Sequence, residues 1–355
     1  NIFVQVRSDS AYYKSLQNNG MIVWMGEETE DFFVYVSETV PAAYIYCDFG
    51  RAPAEELIQV EVVRTNAGNR ILFVLILNGI VCLNGMLLFR KSILNGKISF
   101  KKLVAFWSIF VAVLIACFPC FTDYLVTGDD IYFHLSRIAF LRDALVDGER
   151  FPVKMQGTWV YGHGYATSIF YGDLFLYIPA VLNLIGFPIM VSYKIFLCFI
   201  TIVTAIISYL SFKRCLKDES SAALGSILYL LMPYRLHNVY GRAALGEYIA
   251  MAFLPMVFCG MYLLYTENVN EKQYSKYKWW LIAGISGILQ SHLITAEMVA
   301  ILMALVCVVY YRKTFTKRTF LQLLAMSAYV LIINAWFLIP MFYMLSIDNY
   351  DLTRV

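Results

Sequence analysis

The chain has 355 residues, of which 60% are hydrophobic and 15% charged, with a formal net charge of +3. Soluble domains carry about 25% charged residues. Because the hydrophobic residues here are concentrated in long runs, the composition indicates a membrane protein and not a large soluble core. The sequence has no basic patch of the kind that binds nucleic acid, so we expect no nucleic-acid partner.

Residues 1–69 differ from the rest of the chain. Short apolar and β-branched runs alternate there with Gly, Pro and acidic residues, which predicts a small β-rich accessory segment. The chain begins at Asn1 without an initiator methionine and stops at Val355, just after an apolar run. We therefore expect it to be a piece of a longer protein.

From residue 70 to residue 355 the apolar runs predict an all-α polytopic membrane domain, a transmembrane helix bundle of about eight spans. The predicted spans are residues 71–89, 103–121, 191–212, 222–236, 245–265, 279–290, 295–311 and 320–342.

Lys and Arg residues between some of these spans set the predicted orientation. They cluster at 90–102, 213–217, 272–278 and 312–318, and such clusters face the cytoplasm. The segments 1–69, 122–190, 236–245 and about 291–294, together with the C-terminal end, are then predicted to lie outside. Residues 171–190 are apolar, but they contain Asp173 and Pro179 and only about 15 clean apolar residues, too few to cross a ~30 Å core. We predict that they form an interfacial helix within the long external loop 122–190.

The eight cysteines do not predict a disulfide framework, because seven of them lie in or beside apolar runs. Cys117 and Cys120 form a CxxC pair inside such a run. Buried thiols are the favoured interpretation of this pair, and a redox pair is the alternative.

The long external loop opens with polar residues that apolar packing does not explain. Asp130, His134 and Arg137 stand at positions i, i+4 and i+7, so they share one face of a helix predicted to begin near Asp130, with Asp129 as one candidate cap. Apolar residues occupy another face, which predicts an amphipathic helix on the membrane surface. A solvated face with an ion pair is the alternative to a functional role.

Two further stretches carry candidate binding residues at the same predicted level. Residues 157–180 are rich in Gly and Tyr and contain Tyr161, His163 and Asp173; an aromatic belt at the membrane interface is the alternative interpretation. The others follow farther along the chain: Arg235, His237, Arg242, Glu247 and His292. A capping carboxylate is the alternative for Glu247.

All four histidines fall on the outer side in this topology: His134, His163, His237 and His292. A metal site built from several of them remains an alternative, although no tight ligand spacing favours it. The metal and any cofactor are thus unknown from the sequence, and a divalent cation stays possible.

Four stretches carry a resemblance to a known family: GDDIYFHLSRI, YGHGYATSIFYGDLFLYIPA, RAALGEYIAMAFLP and QSHL. Over about residues 105–345 the chain resembles a bacterial family of multi-pass membrane proteins described as 6-pyruvoyl-tetrahydropterin synthase-related, similar to the YfhO-like proteins. A pterin synthase itself would be a small soluble enzyme with a zinc-binding histidine set, a layout that this sequence lacks.

The broader similarity is to the GT-C class of glycosyltransferases, which implies a GT-C-like helix bundle. By that resemblance Asp129 or Asp130 is the catalytic or metal-linked carboxylate, and His134, Arg137 and Arg242 contact a carrier phosphate. The two acids are adjacent and not separated as in a DxD pair, which leaves metal dependence open.

The leading hypothesis is therefore a membrane glycosyltransferase of the bacterial cytoplasmic membrane. It would move a sugar from a polyprenyl-phosphate-linked donor to a cell-envelope acceptor at the outer, extracytoplasmic face, in contact with membrane lipid. A transporter or flippase for a lipid-linked or envelope precursor is one alternative. Such proteins carry ionisable residues and broken helices near mid-membrane, whereas the strong ionisable residues here are predicted at one face, which counts against it. A non-enzymatic envelope assembly protein is the other.

Overall fold

The computed structural model describes residues 2–7, 22–25, 44–48, 72, 75–76, 79, 99–122, 125, 128–155, 164–266 and 274–347. Two of the candidate site residues, Tyr161 and His163, lie outside these ranges, as does most of the predicted span 71–89.

Three short strands form one antiparallel sheet in which β1 lies between β2 and β3. The strands are β1 (Ile2–Arg7), β2 (Ile22–Met25) and β3 (Tyr44–Asp48). In the sheet register Val4 of β1 lies opposite Val23 and Cys47. Most of residues 1–69 lies outside the described ranges, so a β-rich accessory segment on the outer side stays a prediction.

The rest of the described chain is mainly helical. Its helices are α1 (Phe100–Cys117), α2 (Ile131–Val146), α3 (Thr167–Phe170), α4 (Tyr177–Leu184), α5 (Ile189–Leu216), α6 (Glu219–Leu230), α7 (Pro233–Tyr240), α8 (Leu245–Thr266), α9 (Tyr274–Leu289), α10 (Leu293–Val309), α11 (Tyr311–Thr314), α12 (Lys317–Ile333) and α13 (Ala335–Ile347). A 3₁₀ turn at Phe118–Phe121 continues α1, and another at Leu174–Leu176 precedes α4.

Three of the described helices are long and apolar enough to cross a membrane: Phe100–Phe121, α5 and α8. They coincide with the predicted spans 103–121, 191–212 and 245–265. The helices α12 and α13 pass the same test only as a pair, because the chain bends by 78° between them at Asn334. The described residues therefore hold three or four candidate spans, and a total of about eight remains a prediction.

The predicted span 222–236 is wrong. The chain forms two short helices there, the 12-residue α6 and the 8-residue α7, and neither is long enough to cross a bilayer. Pro233 stands in the first turn of α7, where its missing N–H costs no helical hydrogen bond. A proline at this position ends the preceding helix and starts the next.

Residues 171–190, the apolar segment before α5, do not form a span, as predicted. Its helical part runs from Leu174 to Leu184. At 1.5 Å per residue this gives roughly 16 Å, about half of a ~30 Å hydrocarbon core.

Large apolar side chains on the outside of the bundle fit a lipid surrounding. Val308 and Val309 of α10 are 68% and 73% exposed, and Ile339 of α13 is 67% exposed. Exposed apolar surface of this extent is unfavourable in water but not in hydrocarbon.

The helix α8 lies at the centre of the bundle. Its most apolar 18-residue stretch is 72% buried inside the protein, against 28% for the first candidate span. It packs against α5 on one side and α9 on the other. At the α9 contact Gly260 lies against Leu281 and Gly284 against Met256, where a Cβ would approach to 2.9 Å in both cases. Small residues of this kind let membrane helices approach closely.

The helix α2 forms as predicted, but it does not lie on the membrane surface with one polar face outward. The polar residues His134 and Arg137 are buried, and so are apolar residues such as Leu135 and Ile138. The apolar side packs into a core shared with α4, α5 and α8. The polar side is buried as well, against a loop that precedes α4.

Candidate functional site

A buried ion pair joins α2 to the loop before α4. Arg137 donates from Nε to Asp173 Oδ1 at 3.0 Å and from Nη2 to the carbonyl oxygen of Gly172 at 2.9 Å, and Nη2 also contacts Asp173 Oδ1. The side chains of Arg137 and Asp173 are 0% and 7% exposed. Two neighbouring atoms, Arg137 Nη1 and Asp173 Oδ2, have no hydrogen-bond partner in the described part of the chain.

The ring of Tyr171 connects this pair to a second group of polar residues. Its centroid lies 4.3 Å from the guanidinium carbon of Arg137, a cation–π contact. The rings of His134 and His292 contact Tyr171 edge-on, at centroid distances of 6.3 and 6.0 Å. Tyr171 therefore lies between the buried pair and the loop that carries His292.

The second group, which we call the rim, consists of Asp130, Arg242, Glu247 and His292. Arg242 Nη1 donates to Glu247 Oε2 at 3.1 Å and to Asn238 Oδ1 at 2.8 Å. The hydroxyl of Tyr234 donates to Glu247 Oε1 at 2.5 Å. The main-chain N–H of Asp130 donates to the carbonyl oxygen of Arg242 at 2.9 Å, which fixes the start of α2 beside the α7–α8 loop.

Close approaches at three glycines hold the four segments of the site together. A Cβ at Gly128 would lie 2.5 Å from the nitrogen of Ala243. One at Gly172 would overlap the carbonyl group of Gln290, and one at Gly246 would overlap the Tyr171 hydroxyl. A side chain at any of these positions would therefore separate segments that the site needs in contact.

We expect Gly172→Ala to lower the unfolding midpoint of the purified protein, by the equivalent of about 1–3 kcal/mol, because the new methyl group must displace main chain at Gln290. Gly79→Ala is the matched control, since a Cβ there would meet nothing within 4 Å and Ala favours the helix. Thermal unfolding in detergent measures both variants. Equal midpoints for the two would contradict the close packing at Gly172.

The electrostatic environment sets the protonation of the site. Partial desolvation is the largest effect on Asp130 and raises its pKa, and the neighbouring charge of Asp129 raises it further. Arg242 and His292 act in the opposite direction, and the net pKa of Asp130 is raised. Burial lowers the pKa of His134 well below its usual value, and the charge of Arg137 lowers it further. Burial also lowers the pKa of His292. Both imidazoles are therefore neutral at pH 7.

The ring of His292 has a defined tautomer. Its Nδ1 accepts from the main-chain N–H of Thr295 at 3.3 Å and lies 2.8 Å from the Thr295 hydroxyl oxygen. Because Nδ1 is an acceptor in this arrangement, the proton of the neutral ring resides on Nε2.

The structure brings together seven of the predicted site residues: Asp130, His134, Arg137, Asp173, Arg242, Glu247 and His292. Asp129 is exposed beside Asp130. Glu247 is part of the rim and pairs with Arg242, so it does more than cap a helix.

Two further predicted residues have different surroundings. His237 is exposed and adjoins the rim, since its main-chain carbonyl oxygen accepts from the N–H of Arg242 at 2.9 Å. Arg235 is fully buried, donates from Nη2 to Thr204 Oγ1 at 3.0 Å and lies over the ring of Tyr248 at 4.2 Å. The buried side chain of Arg235 therefore cannot contact a carrier phosphate in this structure.

Sequence reasoning did not single out Tyr171 or Asn238. Tyr171 stands next to Gly172 and Asp173, and a Tyr-Gly-Asp sequence at the edge of an apolar run is a usable signal for a close main-chain approach beside a carboxylate. Asn238 gave no such signal, because its bond to Arg242 depends on the turn after α7.

A metal site built from the histidines gains no support from the geometry. Among the described residues, no three or more His, Cys, Asp and Glu side chains lie close enough together to hold an ion. Cys117 and Cys120 form no disulfide bond in this structure.

The helices able to cross a membrane and their exposed apolar side chains define a membrane protein with several apolar helices. Residues 169–355 match the family model of the 6-pyruvoyl-tetrahydropterin synthase related domain, described as a membrane protein, and the chain belongs to this family. The resemblance seen in the sequence is thereby confirmed for the family, while the similarity to YfhO-like and GT-C proteins stays a prediction.

One curated relative is an uncharacterized protein of Lactococcus lactis subsp. cremoris (strain MG1363), which is 25% identical over 191 residues. The match covers 53% of this chain and 30% of the relative, so the chain spans about a third of the relative's length. No solved structure matches the chain.

Proposed function

We propose that the protein is a membrane glycosyltransferase that moves a sugar from a polyprenyl-phosphate carrier to a hydroxyl group of a cell-envelope acceptor. One observation carries the proposal: a partly desolvated carboxylate, Asp130, shares the rim with the guanidinium of Arg242 and the neutral imidazole of His292. A lipid-linked donor needs such a set beside apolar helices, because its phosphate stays at the membrane surface while its tail remains in the bilayer.

The reaction assigns one role to each rim residue. Asp130 removes the proton of the acceptor hydroxyl as its oxygen attacks the anomeric carbon of the sugar. The bond between that carbon and the phosphate oxygen breaks, and its electron pair leaves with the carrier phosphate. Arg242 and the Nε2–H of His292 stabilise the charge on the departing phosphate. Glu247 holds the Arg242 guanidinium in place through the 3.1 Å contact.

The location of the reaction is part of the proposal. The Lys and Arg clusters between the predicted spans favour the cytoplasmic membrane of a bacterium, with the rim on its outer face. Cysteine introduced at position 130 or 242 should then react with a membrane-impermeant maleimide added outside intact cells. Labelling only after the cytoplasmic side is opened would contradict this orientation.

A flippase for a lipid-linked precursor is the second candidate. The observation that favours it is the 78° break between α12 and α13, since transporters build their substrate sites from broken helices. A flippase would move the lipid-linked sugar across the bilayer and leave its sugar–phosphate bond intact.

Reconstitution into vesicles separates the two candidates. The vesicles hold purified protein, an undecaprenyl-phosphate donor with radiolabelled sugar, and lipid or polymer acceptors from a bacterial envelope. Transfer predicts that label appears in the acceptor and that undecaprenyl phosphate is released in equal amount. Movement of intact donor between leaflets without release of undecaprenyl phosphate would overturn the transferase and support the flippase.

The pH dependence of transfer follows from the raised pKa of Asp130. A base works only when it is deprotonated, so activity should fall as the pH drops through that raised pKa, at a higher pH than for an ordinary aspartate. Asp129 raises the pKa of Asp130, so Asp129→Asn should shift the acid limb of kcat/KM to lower pH. Asp147→Asn, at the far end of α2, is the control and should leave the limb in place. A shift to higher pH in the Asp129 variant would contradict the assignment.

A further inference from the structure

The guanidinium of Arg242 is held by the protein at one nitrogen and open along one edge. Its Nη1 donates to Asn238 Oδ1 at 2.8 Å and to Glu247 Oε2 at 3.1 Å. No residue in the described part of the chain accepts from its Nε or Nη2, and the side chain is 40% exposed. The Nε–Nη2 edge carries two parallel N–H groups, which is the arrangement that binds an oxyanion through two hydrogen bonds. Arg242 can therefore bind a phosphate while Nη1 keeps both of its protein partners.

Asn238 holds the turn that carries Arg242 as well as the guanidinium itself. The main-chain carbonyl oxygen of Asn238 accepts from the N–H of Ala244 at 2.8 Å, and its side chain is 0% exposed. Between these two points Ala243 has a φ of +53°, a left-handed conformation that residues other than glycine seldom adopt. One buried residue thus fixes the main chain of the turn and the direction of the Arg242 side chain together.

The contact with Arg242 accounts for an amide side chain at this buried position. On its donor side, Asn238 Nδ2 faces Met251 Sδ at 3.6 Å, and a thioether sulfur is a weak acceptor. Burial of an amide costs free energy unless hydrogen bonds offset it, and the bond to a charged guanidinium is of the stronger kind. Because the amide is neutral, it orients Arg242 without cancelling its charge, as a second carboxylate beside Glu247 would do.

We propose that Asn238 is a positioning residue that directs the open edge of Arg242 toward the carrier phosphate. This inference rests on the proposed function, in which Arg242 contacts that phosphate. The charge of Arg242 acts on both Asp130 and His292, so a phosphate bound to it lies beside the proposed base and the neutral imidazole. Asn238 itself is buried and does not touch the substrate, so its whole effect passes through Arg242.

A double-mutant cycle tests this role on the purified full chain in nanodiscs. The probes are undecaprenyl phosphate and undecaprenol, which has the same tail without the phosphate, and the wild type should prefer the phosphate. Asn238→Leu should reduce that preference by about tenfold or more, the effect of losing a hydrogen bond to a charged group. Arg242→Met should reduce it at least as much. The double variant should lose no more than Arg242→Met alone, because the role of Asn238 depends on Arg242.

Asn183→Leu is the matched control. Asn183 of α4 is also buried and accepts from an arginine, Arg142 Nη1 at 3.1 Å, but it is not part of the rim. Its variant should keep the preference for the phosphate. Asn238→Ser is a second test variant, since a shorter polar side chain cannot reach Arg242 and should give the same loss as Leu. Thermal unfolding in the nanodiscs shows whether each variant is folded.

The outcomes separate this role from the reaction. Equal binding of the two lipids by the wild type, or losses that add in the double variant, overturns the inference even where transfer is observed. Failure of both Asn238 variants to fold, or an equal loss of preference in Asn183→Leu, makes the effect of Asn238 a structural one and also overturns it. Losses that do not add, in a protein that transfers no sugar, support the role of Asn238 and contradict the proposed function.

Discussion

Asp130→Asn should reduce the rate of sugar transfer by about 10²–10⁴-fold, the usual contribution of a general base. Asn keeps the size of the side chain but cannot accept the proton of the acceptor hydroxyl. The main-chain bond from Asp130 to the carbonyl oxygen of Arg242 does not involve the side chain, so the start of α2 stays in place. Initial rates in the vesicle assay, at saturating donor and acceptor, measure the effect on kcat.

Asp129→Asn is the matched control for this prediction. The two acids are adjacent and both exposed; partial desolvation raises the pKa of Asp130, and the charge of Asp130 is coupled to Arg242 and His292. We expect the Asp129 variant to keep its transfer rate within about tenfold of the wild type at neutral pH. A larger loss in the Asp129 variant than in the Asp130 variant would assign the base to Asp129.

Asp173→Leu should lower the free energy of unfolding by about 3–5 kcal/mol, because it leaves the buried guanidinium of Arg137 without its counter-charge. The double variant Arg137→Met with Asp173→Leu removes the buried charge together with its partner, so it should regain most of the lost free energy of unfolding. Reversible unfolding in mixed micelles measures all three proteins.

The control for this second prediction is a pair on the same helix. Arg142 and Asp143 form an ion pair at 2.6 Å, but their side chains are 26% and 36% exposed. Exposed pairs contribute about 0–1 kcal/mol, so Asp143→Leu should have a small effect. If Asp173→Leu lowers the free energy of unfolding no more than Asp143→Leu does, a structural role for the buried pair is contradicted.

The spans were the part of the fold that the sequence predicted best. The predicted boundaries 191–212 and 245–265 lie within a few residues of Ile189–Leu216 and Leu245–Thr266. A long unbroken apolar run is readily predicted as a membrane helix, because main-chain groups in hydrocarbon must be paired within the helix. The prediction failed at 222–236, where the apolar run continues through Pro233 although the helix does not.

The helical spacing of polar residues also predicted α2, but the prediction that α2 lies on the membrane surface was wrong, because its residues His134 and Arg137 are buried. A polar face at helical spacing shows which residues point the same way and not whether they meet water or a buried partner. Arg137 finds its partner 36 residues farther along the chain, at Asp173. Such a pairing depends on the packing of α2 against α4, and local sequence carries no record of it.

The sequence predicted which residues form the rim, but it did not predict the contacts between them. Polar side chains at the ends of apolar runs singled out Arg242, Glu247 and His292. Their contacts depend on glycine approaches between distant segments, such as Gly246 against Tyr171. Two candidates from the same sequence argument have different surroundings: Arg235 is buried against Thr204 and Tyr248, and His237 is exposed and contacts Arg242 through its main-chain carbonyl oxygen.

The isolation of Arg235 has an effect beyond its own contacts. Its Nε and Nη1 have no partner among the described residues, and the side chain is 0% exposed. Mobile ions cannot approach a charge enclosed by protein and hydrocarbon, so salt in solution screens it weakly. Its field on neighbours inside the fold, such as the ring of Tyr248 at 4.2 Å, therefore changes little with the ionic strength of the solution.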